Sequence, residues 1–169
     1  MEFTVVQGDI AAQQADVLVN AAGTSLRMGS GVAGALRRGA NGSINDDATS
    51  KGPVELGGVA VTDAYELDAK FVVHAAAMPH FGDGQATRES IRDATRNALR
   101  KADELNAKSM VIPPLGCGIA GFDLREGART VCEEIARYDA GSLVDVRVIA
   151  YGDGEYETIR DVAEDVRKA

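Results

Sequence analysis

The spacing of apolar residues changes period again and again along this chain, and that alternation is what most limits its fold. Short β-branched or aromatic runs at Phe3–Val6, Asp16–Val19, Val59–Thr62, Phe71–Ala75, Ser109–Ile112 and Val146–Ala150 read as strands. Between them, apolar residues recur at helical spacing. Val32, Ala35 and Leu36 share one face, as do Ile91, Ala94, Ala98, Ala102 and Leu105. So do Ala128, Val131, Cys132, Ile135 and Ala136, and then Tyr156, Ile159, Val162 and Val166. A further short helix is expected over residues 43–51. Asp123 is placed to cap the third of these patterns, with Glu126 three positions on as in a capping box. Strands separated by helices need crossover connections, so the sheet should be mostly parallel and covered on both faces. The expectation is a three-layer α/β/α sandwich with a central mixed, mostly parallel sheet. With 169 residues and no internal repeat, low-complexity tract or linker, residues 1–169 are expected to form one domain.

In such a sheet, ligands sit outside the carboxyl ends of the strands. Four strand ends are notable: Gly8-Asp9-Ile10, Asn20-Ala21-Ala22-Gly23, Gly116 to Phe122, and Tyr151-Gly152. They are expected to converge on one crevice. Charge limits what that crevice can hold. The net charge is −8, from 18 Lys+Arg against 26 Asp+Glu, and it repels a phosphate backbone. General nucleic-acid binding is therefore not expected, and an anionic ligand must be held locally by backbone amides. The acidic, lysine-poor composition also suits a cytosol of high salt, a hypothesis that melting indifferent to molar KCl would contradict. No apolar run approaches the roughly 18 residues of a membrane span, and Met1–Thr4 has no basic region leading into an apolar core. Two cysteines, Cys117 and Cys132, imply neither a disulfide framework nor a zinc site, and the simple reading is a reduced cytoplasmic protein. No metal or cofactor is expected.

Two segments match G-x-G-x-x-G: Gly29-Ser30-Gly31-Val32-Ala33-Gly34 and Gly116-Cys117-Gly118-Ile119-Ala120-Gly121. Glycine lets backbone amides face a ligand closely, and amides at a helix start carry the positive end of its dipole. Two such loops, each read as leading into a helix, suggest two amide-lined anion seats, which a diphosphate with flanking sugars would fit. A nicotinamide-dinucleotide fold fits less well. It wants the loop directly after the first strand and an acid about 20 residues on, whereas the residues at that distance from the second loop are Glu133 and Glu134, inside a helix. A P-loop is excluded, because no Gly-Lys-Ser/Thr occurs.

Taken in order, these motifs resemble the macrodomain, an ADP-ribose-binding module whose family includes enzymes that process ADP-ribose 1″-phosphate. They are Gly8-Asp9-Ile10, Val19-Asn20-Ala21-Ala22, Gly29 to Leu36, Phe71-Val72-Val73-His74, and Ile112 to Phe122. The resemblance implies that Asp9 accepts a hydrogen bond from the adenine 6-amino group, helped by the Ile10 backbone, and that Tyr151 stacks on the adenine. It implies that Asn20 bonds the distal ribose. Gly29, Ser30, Gly31 and Val32, with Gly116, Gly118, Ile119, Ala120, Gly121 and Phe122, would clasp the diphosphate and that ribose. The ligand class is ADP-ribose or an ADP-ribosylated protein. Blander readings stand beside these: Asp9 as a helix cap, Asn20 as a bridge at the strand end, Phe122 and Tyr151 as core aromatics, His74 as a packed histidine, and Cys117 as a small residue in a tight loop.

Catalysis is a separate matter. The MacroD-type hydrolases of the family carry a second Asn and an Asp where this chain has Gly23 and Ala33. A positioned general base typically contributes ~10²–10⁴-fold, so its loss should slow turnover sharply. The residual catalytic candidates are Asn20 and His80. The expectation is binding with at most weak hydrolysis. The alternatives are an ADP-ribosyl hydrolase, an ADP-ribose-1″-phosphate phosphatase or an O-acetyl-ADP-ribose deacetylase, and, less favoured, a dinucleotide oxidoreductase.

Overall fold

The computed structural model describes residues 1–80, 84–118 and 121–169. Six strands form one sheet in the order β1-β6-β5-β2-β4-β3: β1 (Thr4–Gln7), β2 (Val17–Gly23), β3 (Val59–Asp63), β4 (Phe71–Met78), β5 (Ser109–Ile112) and β6 (Asp145–Ala150). Every neighbouring pair is parallel except β3 with β4, so the sheet is mixed and mostly parallel. The helices are α1 (Gly31–Ala40), α2 (Ile44–Ser50), α3 (Arg88–Glu104), α4 (Leu124–Arg137) and α5 (Asp153–Lys168), with a 3-10 turn at Ile10–Ala12.

Strand alternation sorts the core into two halves. Val17, Val19, Val73, Ala75, Met110, Ile112, Val146 and Val148 pack beneath α3, α4 and α5. On the other face Leu18, Val72, Val111 and Ile149 pack with Leu36, Ile44 and Ala48 of α1 and α2. The result is a three-layer α/β/α sandwich. The helical stripes expected from spacing are the inward-facing ones, with Val32, Ala35, Leu105 and Tyr156 half-buried at their margins and only Ala136 exposed. Truncating one of the enclosed side chains, such as Leu36 or Ile135, costs about 2–5 kcal/mol in a core of this kind.

Local chemistry explains the helix starts. Thr87 and Ser90 form a reciprocal capping box at α3: Ser90 N donates to Thr87 Oγ1 at 3.0 Å, and Thr87 N donates to Ser90 Oγ at 2.9 Å. At α4 only half of the expected box forms. Asp123 Oδ2 accepts from Glu126 N at 3.0 Å, but the Glu126 carboxylate turns away to pair with Arg88. A guanidinium offers that carboxylate a charged partner, which a backbone amide does not.

Candidate functional site

The topology singles out one place on the sheet. The chain leaves β2 for α1 on one face and leaves neighbouring β5 for α4 on the other. Connections that part on opposite faces open a crevice at the carboxyl edge. The five parallel strands bring the ends of β1, β2, β5 and β6 to that edge together.

At the β1 end, Gly8 N donates to Ala150 O at 2.9 Å, tying that end to the end of β6. Asp9 is exposed and caps the 3-10 turn, its Oδ1 accepting from Ala11 N at 2.9 Å. The cap thus uses one carboxylate oxygen. Ile10 is buried in the α1–α2 half of the core. Tyr151, next to Ala150, is 77% exposed, so it is no core aromatic.

The first glycine loop is held from below. Leu26 adopts a left-handed backbone (φ 63°) with its N–H on Gly23 O at 3.0 Å, and both Leu26 and Met28 are buried. Asn45 Oδ1 accepts from Met28 N at 2.8 Å, and Arg37 Nη1 donates to Met28 O at 3.1 Å. These anchors leave Gly29, Ser30 and Gly31 exposed, and open space surrounds the positions where Gly29 and Gly31 would carry a Cβ. Ser30 makes no side-chain cap, and the first α-helical bond is Gly34 N to Ser30 O. The amides of Gly31, Val32 and Ala33, in the first turn, therefore have no helical partner.

The second loop departs from expectation. Two residues separate Gly121 from α4, and the Asp123 side chain caps that helix, so this loop is not a helix-start seat. Gly121 N donates to Gly118 O and Phe122 N to Gly116 O, both at 3.1 Å, so those two amides are already taken. Gly116 (φ 76°) approaches Ala86 too closely to carry a side chain, whereas Gly118 faces open space. Phe122 is half-buried against the core beneath α3–α5. Ile119 and Ala120 lie outside the described residues.

At Asn20 the strand boundary differs from the one expected. Strand β2 runs on through it to Gly23 rather than ending before it. Its side chain is 0% exposed, and Nδ2 lies 3.0 Å from His74 Nδ1 on the neighbouring strand. Thr62 Oγ1 in turn lies 2.9 Å from His74 Nε2. Enclosed in this way, the Asn20 amide nitrogen is tied to the neighbouring strand from inside the sheet. Its Oδ1 is buried with no hydrogen-bond partner. His74 is a packed residue: burial above all, then Lys51, lowers its pKa to about 4, so it stays neutral. His80 is exposed beyond the end of β4. Burial, reinforced by Asp123 and Glu155, pushes the Cys117 thiol up to about 12, so it is protonated and a poor nucleophile. Among the described residues no group of three His, Cys, Asp or Glu side chains could hold a metal ion. No helix there is long and apolar enough to cross a membrane.

The anchors Leu26, Met28, Asn45 and Arg37 and the Thr62–His74–Asn20 chain escape sequence reasoning, because each joins elements distant in sequence. The Thr87-x-x-Ser90 box was open to detection, since its residue types and spacing are local.

A family model described as Macro domain matches residues 19–131. An uncharacterized protein of Sulfolobus acidocaldarius is 36% identical over 167 residues, covering 96% of this chain and 90% of the relative. An uncharacterized protein of Mycobacterium tuberculosis is 37% identical over 153 residues, covering 90% of this chain. The chain spans only 42% of that mycobacterial relative's length. In fold, a variant macrodomain of Oceanobacillus iheyensis solved with ADPR superposes with a TM-score of 0.87 at 23% identity, covering 98% of this chain and 93% of that one. A Trypanosoma brucei macrodomain in complex with ADP-ribose gives 0.84 at 24% identity, covering 93% of this chain and 67% of that one.

Proposed function

Since this chain belongs to the macro domain family, we propose that it binds ADP-ribose, free or attached to protein, at the carboxyl edge of its sheet. One observation carries the reading: α1 begins with free amides at Gly31, Val32 and Ala33, under glycines whose surroundings are empty. That is a diphosphate seat made of dipoles rather than cations, which a molecule of net charge −8 requires. The exposed ring of Tyr151 and the second oxygen of Asp9 stand at adjoining strand ends, suited to an adenine face and its 6-amino group. The second loop contributes through Gly118 and the turn that carries it. The ADP-ribose-bound neighbours support the ligand class. A cytoplasmic setting belongs to the same reading; Cys117 and Cys132 are both free thiols.

Hydrolysis is subordinate in this reading. Gly23 and Ala33 supply no carboxylate or amide side chain, and Cys117 is protonated. Calorimetric titration with ADP-ribose, NAD and AMP tests the proposal, and ADP-ribose should bind most tightly. Tighter NAD binding would favour an oxidoreductase and overturn it. Incubation with mono-ADP-ribosylated protein and with the 1″-phosphate separates binding from turnover. Robust release of product would mean that another group replaces the missing base.

A further inference from the structure

Helix α3 carries arginine at every fourth position, Arg88, Arg92, Arg96 and Arg100. That spacing sets four stems on one side of the helix over about 18 Å. Helix α4 packs alongside, and the partners are unequal in number. Arg88 pairs with Glu126. Glu134, 3% exposed, is shared by three guanidiniums: its Oε1 lies 3.5 Å from Arg92 Nε, 3.3 Å from Arg96 Nη2 and 3.8 Å from Arg137 Nη1. Asp93 reaches only Arg96, at 4.0 Å. The three arginine side chains remain 36%, 39% and 61% exposed.

The chemistry follows from that imbalance. A guanidinium offers five N–H donors, and a carboxylate accepts about four bonds at most, so one buried carboxylate cannot satisfy three arginines. A buried carboxylate must nevertheless stay paired, which fixes those flexible side chains in place before any partner arrives. Positive charge is left in excess on a molecule that is acidic as a whole. Planar guanidinium forks suit carboxylates and phosphates alike. A nucleic acid fits this face less well, because the exposed Tyr65 and Tyr151 rings, on which bases could stack, lie on other elements.

We propose that the seam between α3 and α4 is a docking surface for a short Asp/Glu-rich segment of a partner protein, seated on Arg92, Arg96 and Arg137 and extended by Arg100. Its upper end abuts the crevice, since Gln85 and Ala86, just before α3, lie against Gly121 and Gly116. A partner held there would reach the glycine loops, but the surface needs no nucleotide to bind.

The test is fluorescence anisotropy with a labelled hexaglutamate peptide at low ionic strength. Wild type should bind it, binding should fade toward physiological salt, and Arg92→Gln/Arg137→Gln should weaken it at least about tenfold. Arg96 still pairs with Glu134 in that variant, and its melting temperature checks folding. Should the double variant fail to fold, Arg137→Glu alone, at the most exposed of the three, should abolish binding. Absent binding, equal binding by wild type and variant, or tighter binding of a single-stranded oligonucleotide of equal charge would overturn the proposal.

Discussion

The carboxamide of Asn20 and the imidazole of His74 meet at 3.0 Å inside the sheet, side by side on parallel strands β2 and β4. A single neutral tautomer satisfies both bonds of the ring. Nδ1 accepts from the Asn20 amide, and Nε2–H donates to Thr62 Oγ1 at 2.9 Å. Protonation would turn Nδ1 into a donor facing a donor.

Acid should therefore act on this chain of residues first. The pKa of His74 is about 4 in the folded protein against an ordinary 6.5, so the unfolded chain binds the extra proton at higher pH. The folded state keeps its full stability above about pH 6.5 and loses it as pH falls toward 4, by on the order of 3 kcal/mol. Denaturant unfolding between pH 7 and 4 measures this, and His74→Phe should flatten that part of the curve. An unchanged slope in the variant would mean that other groups set it.

A second acid-labile element lies at the opposite end of the sheet. Asp103 accepts from Tyr138 Oη at 2.6 Å, from the amides of Gly141, Ser142 and Leu143 at 3.0 Å each, and from Ser142 Oγ at 3.1 Å. Burial alone would raise its pKa, but these bonds outweigh that and hold it at about 2. Its contribution is present above pH 3.8 and lost as pH falls toward 2. Asp103→Asn should cost roughly 1–3 kcal/mol at neutral pH, measured by thermal or urea unfolding.

Gly127 and Cys117 are interlocked. A Cβ at Gly127 would run into the Cys117 thiol. Alanine normally gains up to about 1 kcal/mol over glycine in a helix interior, but here the overlap should win, and Gly127→Ala should cost about 1–3 kcal/mol. In a Cys117→Ala background the same change should become neutral or stabilising. A double-mutant cycle that shows no coupling would refute the interlock.

Gly29 and Asp9 separate ligand effects from folding effects. Gly29→Val fills empty space, so the melting temperature should hold while ADP-ribose affinity falls at least about tenfold. Asp9→Asn keeps an acceptor for the cap but loses the charge. It should weaken binding less than Asp9→Ala, for which about 1.5–3 kcal/mol is expected. Equal affinities for wild type and all three variants would take both residues out of the site.

The fold was legible because each strand and helix carries its own period, and period 2 against 3.6 needs only neighbouring residues. The convergence of four strand ends on one edge then follows from parallel pairing alone. The site was harder to read. Asn20 sits in a motif that signals a strand end, yet its environment is set by His74 and Thr62, which the sequence places 54 and 42 positions away. Glu126 looked like half of a capping box until Arg88, from another helix, supplied a better partner. The two glycine loops read alike, but only the first opens a helix. The second folds its Gly121 and Phe122 amides back on itself, which spacing cannot reveal.

The burial of Leu26 and Met28 carries a kinetic consequence. These side chains belong to the same core as Leu18 and Leu36, so the turn above them is assembled when the polypeptide folds, not when a guest arrives. On the proposed function, ordering entropy would already have been spent, and association at Gly29–Gly31 should be limited by encounter rather than by rearrangement. For an anion approaching a surface of like sign, that encounter should quicken as salt is added.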